Sequence, residues 1–586
     1  MADFSLQLQA DNLPKEAIQT LLVEGPWQPI MDRMLTAENL LLEGCRGVGK
    51  TMLMRAAVQR LQEKFLAGSR TLGVHTTFKR YLATLPPPSP GSTENPDLSN
   101  FRAWINARIL QAVQSALREL APERLAEVGD LGSVNWQTAV GILESTYQGN
   151  FDYASLMKGA GIPPHVTASL QGYTYTSDLL KRAREVLELD LLILFLDDAA
   201  HALDTRAQGA FFTAIKSLYE AGIAFKISVY PAVTRYGLDF SYGHDAVVVS
   251  LGEVPRKENV QAFVDLLSKR RQVTEGDSEI LEILVDRREW VEVLMYCANG
   301  NPRGLLKLTA QLQTQLGNRT VSSIRFEDVR QAITTVMDKH LESMVPGVIK
   351  DLDPRLLAAA DLLLNEFRQR ISETPGPYEG TKPRGYLAIT NSMQVPYLCQ
   401  AALKLLVAAN VVIPEGPARL SKRETGTLYL LHPGFIFRDN VISRHVRGTL
   451  SAADWLTFFN GLSSRVHAEI TRSGELWQEI VSEVSSEPAT NCVNGHPILD
   501  PKRACEVCGA AAVVRSPVQI LLDKDIEVLE LSDAIKDRLR AKGLDTIRKL
   551  FEANEQEIDA VEYIGEKRTL LIKNVVSAAV DEFVAG

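Results

Sequence analysis

The chain has 586 residues, of which 45% are hydrophobic and 23% are charged, and its net charge is −9. This length is too great for a single hydrophobic core and predicts three or more domains. The negative balance excludes a protein that is basic over its whole surface, so binding to nucleic acid would need local cationic patches. The sequence has neither an apolar run that could span a bilayer nor a signal peptide, which predicts a cytoplasmic protein without membrane contact.

The first strong motif is Gly-x-x-x-x-Gly-Lys-Thr, from Gly44 to Thr51. A predicted strand precedes it and a predicted helix follows it, which is the setting of a phosphate-binding loop. Backbone N–H groups would cradle phosphate oxygens, Lys50 would reach the β- and γ-phosphates of ATP, and the Thr51 hydroxyl would bind Mg²⁺. The predicted nucleotide contacts in this stretch are Gly44, Gly47, Val48, Gly49, Lys50, Thr51 and Met52.

After this motif the sequence predicts a strand at 70–77 and a helix at 101–120. His75, on the strand, is interpreted as a packing residue rather than a ligand. Residues 121–185 are predicted to be helices and loops, and the sequence indicates no role for them.

The second nucleotide motif is an apolar run, 191–196, that ends in Asp197 and Asp198. Such a run predicts a strand buried on both faces, as in a parallel sheet, where ligands bind at the C-terminal ends of the strands. We expect Asp197 to hold Mg²⁺, mainly through water. The alternative is that the two acids cap the following helix.

Two further strands are predicted at 223–230 and 246–251, and residues 256–345 have a helical pattern that contains Asn-Gly-Asn-Pro-Arg-Gly at 299–304. Together these motifs resemble the P-loop ATPases of the AAA+ and STAND classes, and most nearly the origin-recognition-like AAA+ proteins, over about residues 15–345. The resemblance implies an α/β core with a parallel sheet, a helical lid and ATP hydrolysis.

The resemblance also implies residue roles. Asp198 stands where many AAA+ ATPases have a Glu that polarises the attacking water. Arg303 corresponds to an arginine that contacts the γ-phosphate in AAA+ proteins, whereas Pro302 corresponds to a nucleotide-contacting proline in STAND proteins. The alternative is a plain helix N-terminus with Pro near its first turn. A polar residue near the γ-phosphate would be Ser228, Tyr230 or Thr234, and Arg235 is either a finger toward a neighbouring subunit or a solvated arginine.

Helices are predicted at 356–371 and 395–409, followed by two strands within 418–437 that turn at 424–427. This order resembles a winged helix, which binds DNA in origin-recognition-like proteins and often packs internally in STAND proteins. The cations that would meet phosphates are Lys404, Arg419, Lys422 and Arg423.

Beyond a predicted helical stretch at 452–486, the sequence contains two pairs of potential metal ligands, and a short loop separates the two pairs. Three thiolates and one imidazole suit tetrahedral Zn²⁺, and a site with four protein ligands is structural. The alternative is a set of unrelated free thiols. The segment resembles a zinc ribbon with the ligands Cys492, His496, Cys505 and Cys508.

The last 70 residues resemble a helix-hairpin-helix domain, including the C-terminal domain of the RNA polymerase α subunit. In such domains a Gly-containing hairpin and nearby cations hold a phosphate, although some of them bind proteins. Tyr563 stands where the first Gly of that hairpin is usual. The matching positions are Gly565, Lys567, Arg568 and Lys573, with Lys542, Gly543, Arg548 and Lys549 in an earlier hairpin.

The expected organisation is a P-loop core at 1–254, a helical lid at 255–350, a winged helix at 351–450, a helical connector at 451–486, a zinc ribbon at 487–514 and a helix-hairpin-helix domain at 515–586. The expected function is ATP hydrolysis coupled to DNA binding or remodelling, with ATP, Mg²⁺ and Zn²⁺ as cofactors. The alternatives are a STAND-like signalling ATPase whose C-terminal domains sense a protein partner, and an adaptor that binds ATP without turnover. A homo-oligomer fits each of these hypotheses.

Overall fold

The computed structural model describes residues 10, 13–78, 99–146, 153–198, 205–231, 234–251, 257–273, 279–316, 324–348, 354–373, 384–390, 395–419, 425–446, 450–462, 468–471, 477, 480, 490–491, 497–498, 525–529, 531–565, 568–569, 572–573 and 575–576. The chain divides into two compact units. The first comprises residues 1–489 and 504–510, and the second comprises 490–503 and 511–586.

A five-stranded parallel sheet forms the centre of the first unit and confirms the predicted α/β core. Its strands are β1 (Leu40–Glu43), β2 (Thr71–Thr77), β3 (Leu191–Asp197), β4 (Ile223–Val229) and β5 (Val247–Ser250), in the spatial order β2-β3-β4-β1-β5. Strands β3 and β4 are almost completely buried because helices cover both faces of the sheet. The C-terminal ends of β1, β3 and β4 lie side by side at one edge.

Alternate residues of each strand pack on opposite faces of the sheet. Leu40 and Leu42 point to one face, which is covered by α1 (Lys15–Leu21), α2 (Gln28–Met34) and α3 (Lys50–Leu66). Leu41 points to the other face, which is covered by α4 (Ser99–Leu120) and the helices that follow it. The nucleotide motifs therefore end at the rim of a three-layer core.

The insertion between the two nucleotide motifs packs against α4. It contains α5 (Pro122–Leu125), α6 (Asp130–Ser133), α7 (Trp136–Thr146), α8 (Tyr153–Gly159), α9 (Pro164–Ser169) and α10 (Thr174–Val186), and α11 (Thr205–Ser217) follows β3. Two buried amides of α4 hold it: Asn106 Nδ2 donates to the carbonyls of Leu170 and Gly172, and Gln114 Nε2 donates to that of Leu131. The insertion, for which the sequence indicated no role, therefore packs as a structural part of the core.

After β5 the described residues are helical as far as 348. These helices are α12 (Val260–Gln272), α13 (Glu279–Asp286), α14 (Arg288–Cys297), α15 (Pro302–Leu316) and α16 (Phe326–Val348). They are called the lid hereafter. The helical pattern predicted for 256–345 is confirmed in this described part.

A mixed α/β module follows the lid. It contains α17 (Pro354–Ser372), β6 (Tyr386–Thr390), α18 (Tyr397–Ala408), β7 (Val412–Arg419), β8 (Thr425–Leu431), α19 (Pro433–Arg438), α20 (Ala452–Leu462) and β9 (Ala468–Thr471). Its sheet has the order β7-β8-β6-β9, and β7 and β8 form an antiparallel hairpin. We call residues 354–471 the hairpin module.

The prediction for the hairpin strands was wrong in position. The first strand begins at Val412 instead of 418, because a register shift between Pro414 and Gly416 accommodates two prolines that argue against a regular strand. The predicted turn residues 425–427 lie inside β8. The end of the predicted second strand is the helix α19, in which Pro433 occupies the first turn and the His432 side chain caps the N-terminus.

The prediction of an entirely helical connector was also wrong. Helix α20 is present, but Ala468–Thr471 form β9, which pairs in parallel with β6. The open edge of β6 supplies hydrogen-bond partners that are distant in sequence and therefore overrides the local helical pattern.

In the second unit, Thr490–Asn491 (β10) and Pro497–Ile498 (β11) form a short antiparallel pair. Helices α21 (Asp533–Ala541), α22 (Ile547–Glu552) and α23 (Glu555–Asp559) surround an apolar core that includes Leu539, Ile547 and Ile558. The four predicted zinc ligands lie outside the described residues. Across the described ranges of both units, no helix combines the length and apolar character that crossing a membrane requires.

Candidate functional site

The phosphate-loop motif leads from β1 into the first turn of α3. Gly47 and Gly49 adopt φ values of 95° and 101°, which side chains other than glycine rarely tolerate. A Cβ on Gly44 would lie 2.7 Å from Val48 Cγ2, so the first glycine is required for close packing instead. The loop and the first turn of a 17-residue helix offer backbone N–H groups to an anion.

Lys50 is the first residue of α3 and is 6% exposed. Its ammonium donates to the carbonyl oxygens of Gly44 and of Cys45, the latter at 3.2 Å, and lies 4.1 Å from the centre of the Tyr230 ring. Burial lowers the pKa of Lys50 to about 8, against the attraction of the two nearby aspartates. The cation is therefore held next to the loop that would carry phosphates.

Asp197 ends β3 and is 1% exposed. Its Oδ1 accepts from Ser228 Oγ at 2.7 Å and from the Asp198 N–H at 2.9 Å. Burial acts to raise the pKa of Asp197, but the neighbouring His75, Thr51 and Ser228 side chains favour the charged form and hold this pKa well below its usual range. The group is a carboxylate.

The second carboxylate oxygen of Asp197 is placed where it could bind a cation. Asp197 Oδ2 is buried without a hydrogen-bond donor in the described part of the chain, and His75 Nε2 lies 3.6 Å away. A buried carboxylate oxygen close to the Thr51 hydroxyl is the oxygen-rich setting that Mg²⁺ prefers. The residues present therefore fit the predicted Mg²⁺, with Thr51 and Asp197 as the residues that would hold it.

Asp198 adopts a left-handed backbone with φ of 53° and is 7% exposed. Its N–H donates to Ser228 Oγ at 2.7 Å, and its Oδ1 accepts from the Tyr230 hydroxyl at 2.9 Å. Of the three candidates for a polar residue near the γ-phosphate, Ser228 faces the two aspartates and Tyr230 faces Asp198 and Lys50. Thr234 instead closes a turn on the backbone of Tyr230.

The lid reaches the phosphate loop through the start of α15. The Arg303 N–H donates to the Gly47 carbonyl at 3.3 Å, and Asn301 Nδ2 donates to the Arg46 carbonyl at 2.8 Å. The fit is tight, because a Cβ on Gly47 would lie 2.7 Å from Asn301 Oδ1. Asn301 was not among the predicted site residues, although it lies in the same Asn-Pro-Arg stretch as Pro302 and Arg303.

Lys50, Asp198, Tyr230 and Arg303 line one open cavity of about 1080 Å³, a volume that includes solvent at its mouth, whereas Asp197, Ser228 and Asn301 are not part of its lining. All the predicted nucleotide contacts line it except Gly44, and Pro302, Arg303 and Asp198 join them. The remaining lining is largely apolar and includes Leu22, Val23, Trp27 and Leu266, together with the buried Arg270. A cavity that combines the phosphate loop with apolar side chains suits a nucleotide, and the base would lie between the N-terminal helices and the lid.

The residues predicted to contact DNA belong to both units. Lys404 is half-buried on α18, and Arg419 is exposed at the end of β7. Lys422, Arg423 and Lys567 lie outside the described residues. In the second unit Gly565 is exposed, and the Arg568 guanidinium donates to the Tyr563 carbonyl. Tyr563, which replaces the usual glycine, adopts φ of 63° and is 68% exposed.

Several cations of the second unit have partners within the unit. Lys573 Nζ donates to the carbonyls of Leu550, Phe551 and Ala553 at the end of α22, so it serves as a helix cap. Lys549 Nζ lies 2.7 Å from Asp545, and Arg540 contacts Asp525 and Glu527. The role of Lys573 in phosphate binding stays a prediction, and in this structure its ammonium binds backbone carbonyls.

No known protein family matches the sequence, and no curated protein matches it. Solved structures with some likeness include the Aeropyrum pernix ORC1 protein in complex with DNA, at 13% identity and a TM-score of 0.32, which covers 75% of this chain and 96% of that chain. For the ADP form of Aeropyrum pernix ORC2 the identity is 12% and the TM-score is 0.31, and the alignment covers 79% of this chain and 98% of that chain. For domain III of the Thermotoga maritima replication initiation protein DnaA the identity is 13% and the TM-score is 0.27, and the alignment covers 55% of this chain and 97% of that chain.

Proposed function

We propose that this protein is an AAA+-type ATPase that couples its nucleotide state to DNA binding or remodelling. The observation that carries the proposal is a short segment, residues 297–303, that contacts the phosphate loop on one side and the hairpin module on the other. We call it the junction segment. A nucleotide that displaced the phosphate loop would displace this segment as well.

The junction segment contacts the hairpin module at two points. Asn299 Nδ2 donates to Asn410 Oδ1 at 3.2 Å, and both residues adopt left-handed backbone, with φ of 53° and 56°. Gly434 of α19 packs directly on the Cys297 carbonyl, because a Cβ there would lie 2.8 Å from that oxygen. The contacts of Asn301 and Arg303 with the phosphate loop follow within four residues.

Hydrolysis would proceed by attack of a water oxygen on the γ-phosphorus and cleavage of its bond to the bridging oxygen. Asp198 would accept a proton from the water, which ends on the released phosphate. Lys50 and Arg303 would bind the γ-phosphate and stabilise its developing charge. Mg²⁺ held by Thr51 and Asp197 would supply charge neutralisation. Loss of phosphate would remove an attraction on Arg303 and release the junction segment.

The decisive experiment measures ATPase rate with and without duplex DNA in the full chain with zinc retained. Lys50→Ala should abolish the rate, whereas Lys64→Ala, at an exposed position of the same helix, should leave it unchanged. DNA should raise the Lys50-dependent rate. A chain that neither binds DNA nor responds to it would contradict the DNA part of the proposal and leave the ATPase part standing.

The coupling through the junction segment is tested separately with Asn299→Gly and Asn410→Gly. Glycine keeps the left-handed backbone and removes only the side-chain contact. We expect each variant to reduce the difference in DNA affinity between the ATP and ADP states, and the double variant to do no more than either single one. Additive effects, or an unchanged difference, would show that the contact carries no coupling.

A STAND-like signalling ATPase that senses a protein is the second proposal. It is favoured by the second unit, where Lys573 caps a helix and Arg540 and Lys549 contact carboxylates. Counterion release predicts that DNA affinity falls steeply as salt rises. DNA binding that is weak and insensitive to salt would favour a protein partner for this unit.

A further inference from the structure

Tyr230 follows the last residue of β4 and lies between the two charged groups that hydrolysis requires. Its hydroxyl donates to Asp198 Oδ1 at 2.9 Å, and its ring centre is 4.1 Å from Lys50 Nζ. Thr234 holds the backbone in place, since its hydroxyl accepts from the Tyr230 N–H and donates to the Tyr230 carbonyl. The sequence marked Tyr230 only as one of three candidates for a contact with phosphate.

The hydrogen bond determines how Asp198 can act. A phenol has one proton to donate, and giving it to Oδ1 leaves the other carboxylate oxygen to accept from water. The Asp198 N–H is bound to Ser228, so both the backbone and one oxygen of this residue are held. Aspartate is one methylene shorter than glutamate, so its orientation decides whether it reaches the water.

The ring has a second role at the phosphate loop. An ammonium over an aromatic face is attracted by the ring quadrupole, most strongly where water is excluded. Lys50 is buried here, and its other contacts are two carbonyl oxygens of the loop. The ring therefore helps to keep the cation in the phosphate site before nucleotide binds.

We propose that Tyr230 is a positioning residue for ATP hydrolysis: its hydroxyl orients Asp198 toward the attacking water, and its ring holds the Lys50 ammonium at the phosphate loop. The proposal rests on the proposed ATPase function. It assigns to one side chain the relative placement of the water-activating carboxylate and the phosphate-binding cation.

Two substitutions separate the two roles. Tyr230→Phe removes the hydroxyl and keeps the ring, so kcat should fall about tenfold or more while KM stays within about twofold. Tyr230→Leu removes both the hydroxyl and the ring. It should therefore also weaken the binding of a fluorescent ADP measured in EDTA, whereas Tyr230→Phe should leave that affinity unchanged. Tyr219→Phe is the matched control, because the Tyr219 hydroxyl donates to the Asp245 carbonyl and Tyr219 does not line the cavity.

An orienting role also predicts non-additivity. In a chain that carries Asp198→Asn, Tyr230→Phe should cause no further loss of kcat. A kcat of Tyr230→Phe equal to or above that of the wild type would overturn the proposal, and a raised value would mean that the phenol restrains Asp198. If wild type shows no turnover that depends on Lys50, the proposed function fails instead, and ADP binding in EDTA still tests the role of the ring.

Discussion

At the scale of single residues, the core accommodates a buried cation outside the candidate nucleotide site. Lys226 lies in the middle of β4, fully buried, and its ammonium donates to the backbone carbonyls of Arg33 in the last turn of α2 and of Thr36 and Glu38 beyond it. It therefore ties the N-terminal helices, which line the apolar end of the cavity, to the central sheet. Burial lowers the pKa of Lys226 to about 7.

This depressed pKa predicts a pH-dependent stability. Below about pH 7 Lys226 is protonated in both the folded and the unfolded chain, but between about 7 and 10.5 only the unfolded chain keeps the proton. The free energy of unfolding should therefore rise with pH in this window, by up to about 1.4 kcal/mol per pH unit. Lys226→Met should remove that slope in thermal midpoints measured from about pH 7 to pH 9. If the thermal midpoints of the wild-type and Lys226→Met chains changed in parallel with pH, the assignment of this slope to Lys226 would be contradicted.

Gly47 offers a second test at this scale, since its conformation and its surroundings both exclude a side chain. Gly68 has nearly the same φ, 96° against 95°, but a Cβ there meets nothing within 4 Å. Each change to Ala should cost about 1 kcal/mol of backbone strain. Gly47→Ala should in addition separate the lid from the phosphate loop and weaken ADP binding, measured by fluorescence titration, whereas Gly68→Ala should leave the affinity unchanged. Equal affinities in the two variants would exclude the lid contact.

At the scale of elements, the lid and the hairpin module share an aromatic core. Phe326 of α16 packs on Phe437 of α19 with ring centres 5.9 Å apart, and Tyr296 of α14 stacks on Phe459 of α20 at 5.0 Å. The Tyr296 hydroxyl also donates to Asn460 Oδ1 at 2.6 Å. Such close packing of aromatic rings transmits displacement rather than absorbing it, which suits a module that responds to the lid.

Two glycines in this region form a matched pair. A Cβ on Gly434 would lie 2.5 Å from Met337 Sδ and 2.8 Å from the Cys297 carbonyl, whereas one on Gly461 in α20 would meet nothing within 4 Å. Gly434→Ala should destabilise the chain by about 1–3 kcal/mol through overpacking. Gly461→Ala should be neutral or stabilise it by up to about 1 kcal/mol, because alanine favours helix. Thermal midpoints that rank the two variants in the opposite order would contradict the close approach of α19 to the lid.

At the scale of the whole molecule, the predicted zinc site concerns residues outside the described part. Metal analysis of the purified full chain should find about one zinc per chain, since four ligands make one closed site. Cys505→Ser should lose that zinc. Cys399→Ser, at a buried packing position in α18, should retain it. Absence of zinc from the wild-type chain would exclude the site.

The sequence by itself determined the two nucleotide motifs and the parallel core. The phosphate-loop motif and its lysine lie within eight consecutive residues, and the strand before the two aspartates is apolar throughout because both of its faces are buried. Local composition is sufficient to predict such features. The start of the helix at Pro302 can also be predicted from local sequence, because proline is favoured in the first turn of a helix.

Only the tertiary structure decided which side chains complete the site. His75, Tyr230 and Asn301 reach it from a neighbouring strand, from the end of another strand and from the lid, respectively. The pairings that bring them there join residues far apart in the chain, so no local pattern shows which of them meet. The same reason explains the error at β9: whether a marginal stretch becomes a strand depends on a distant edge that can accept its hydrogen bonds.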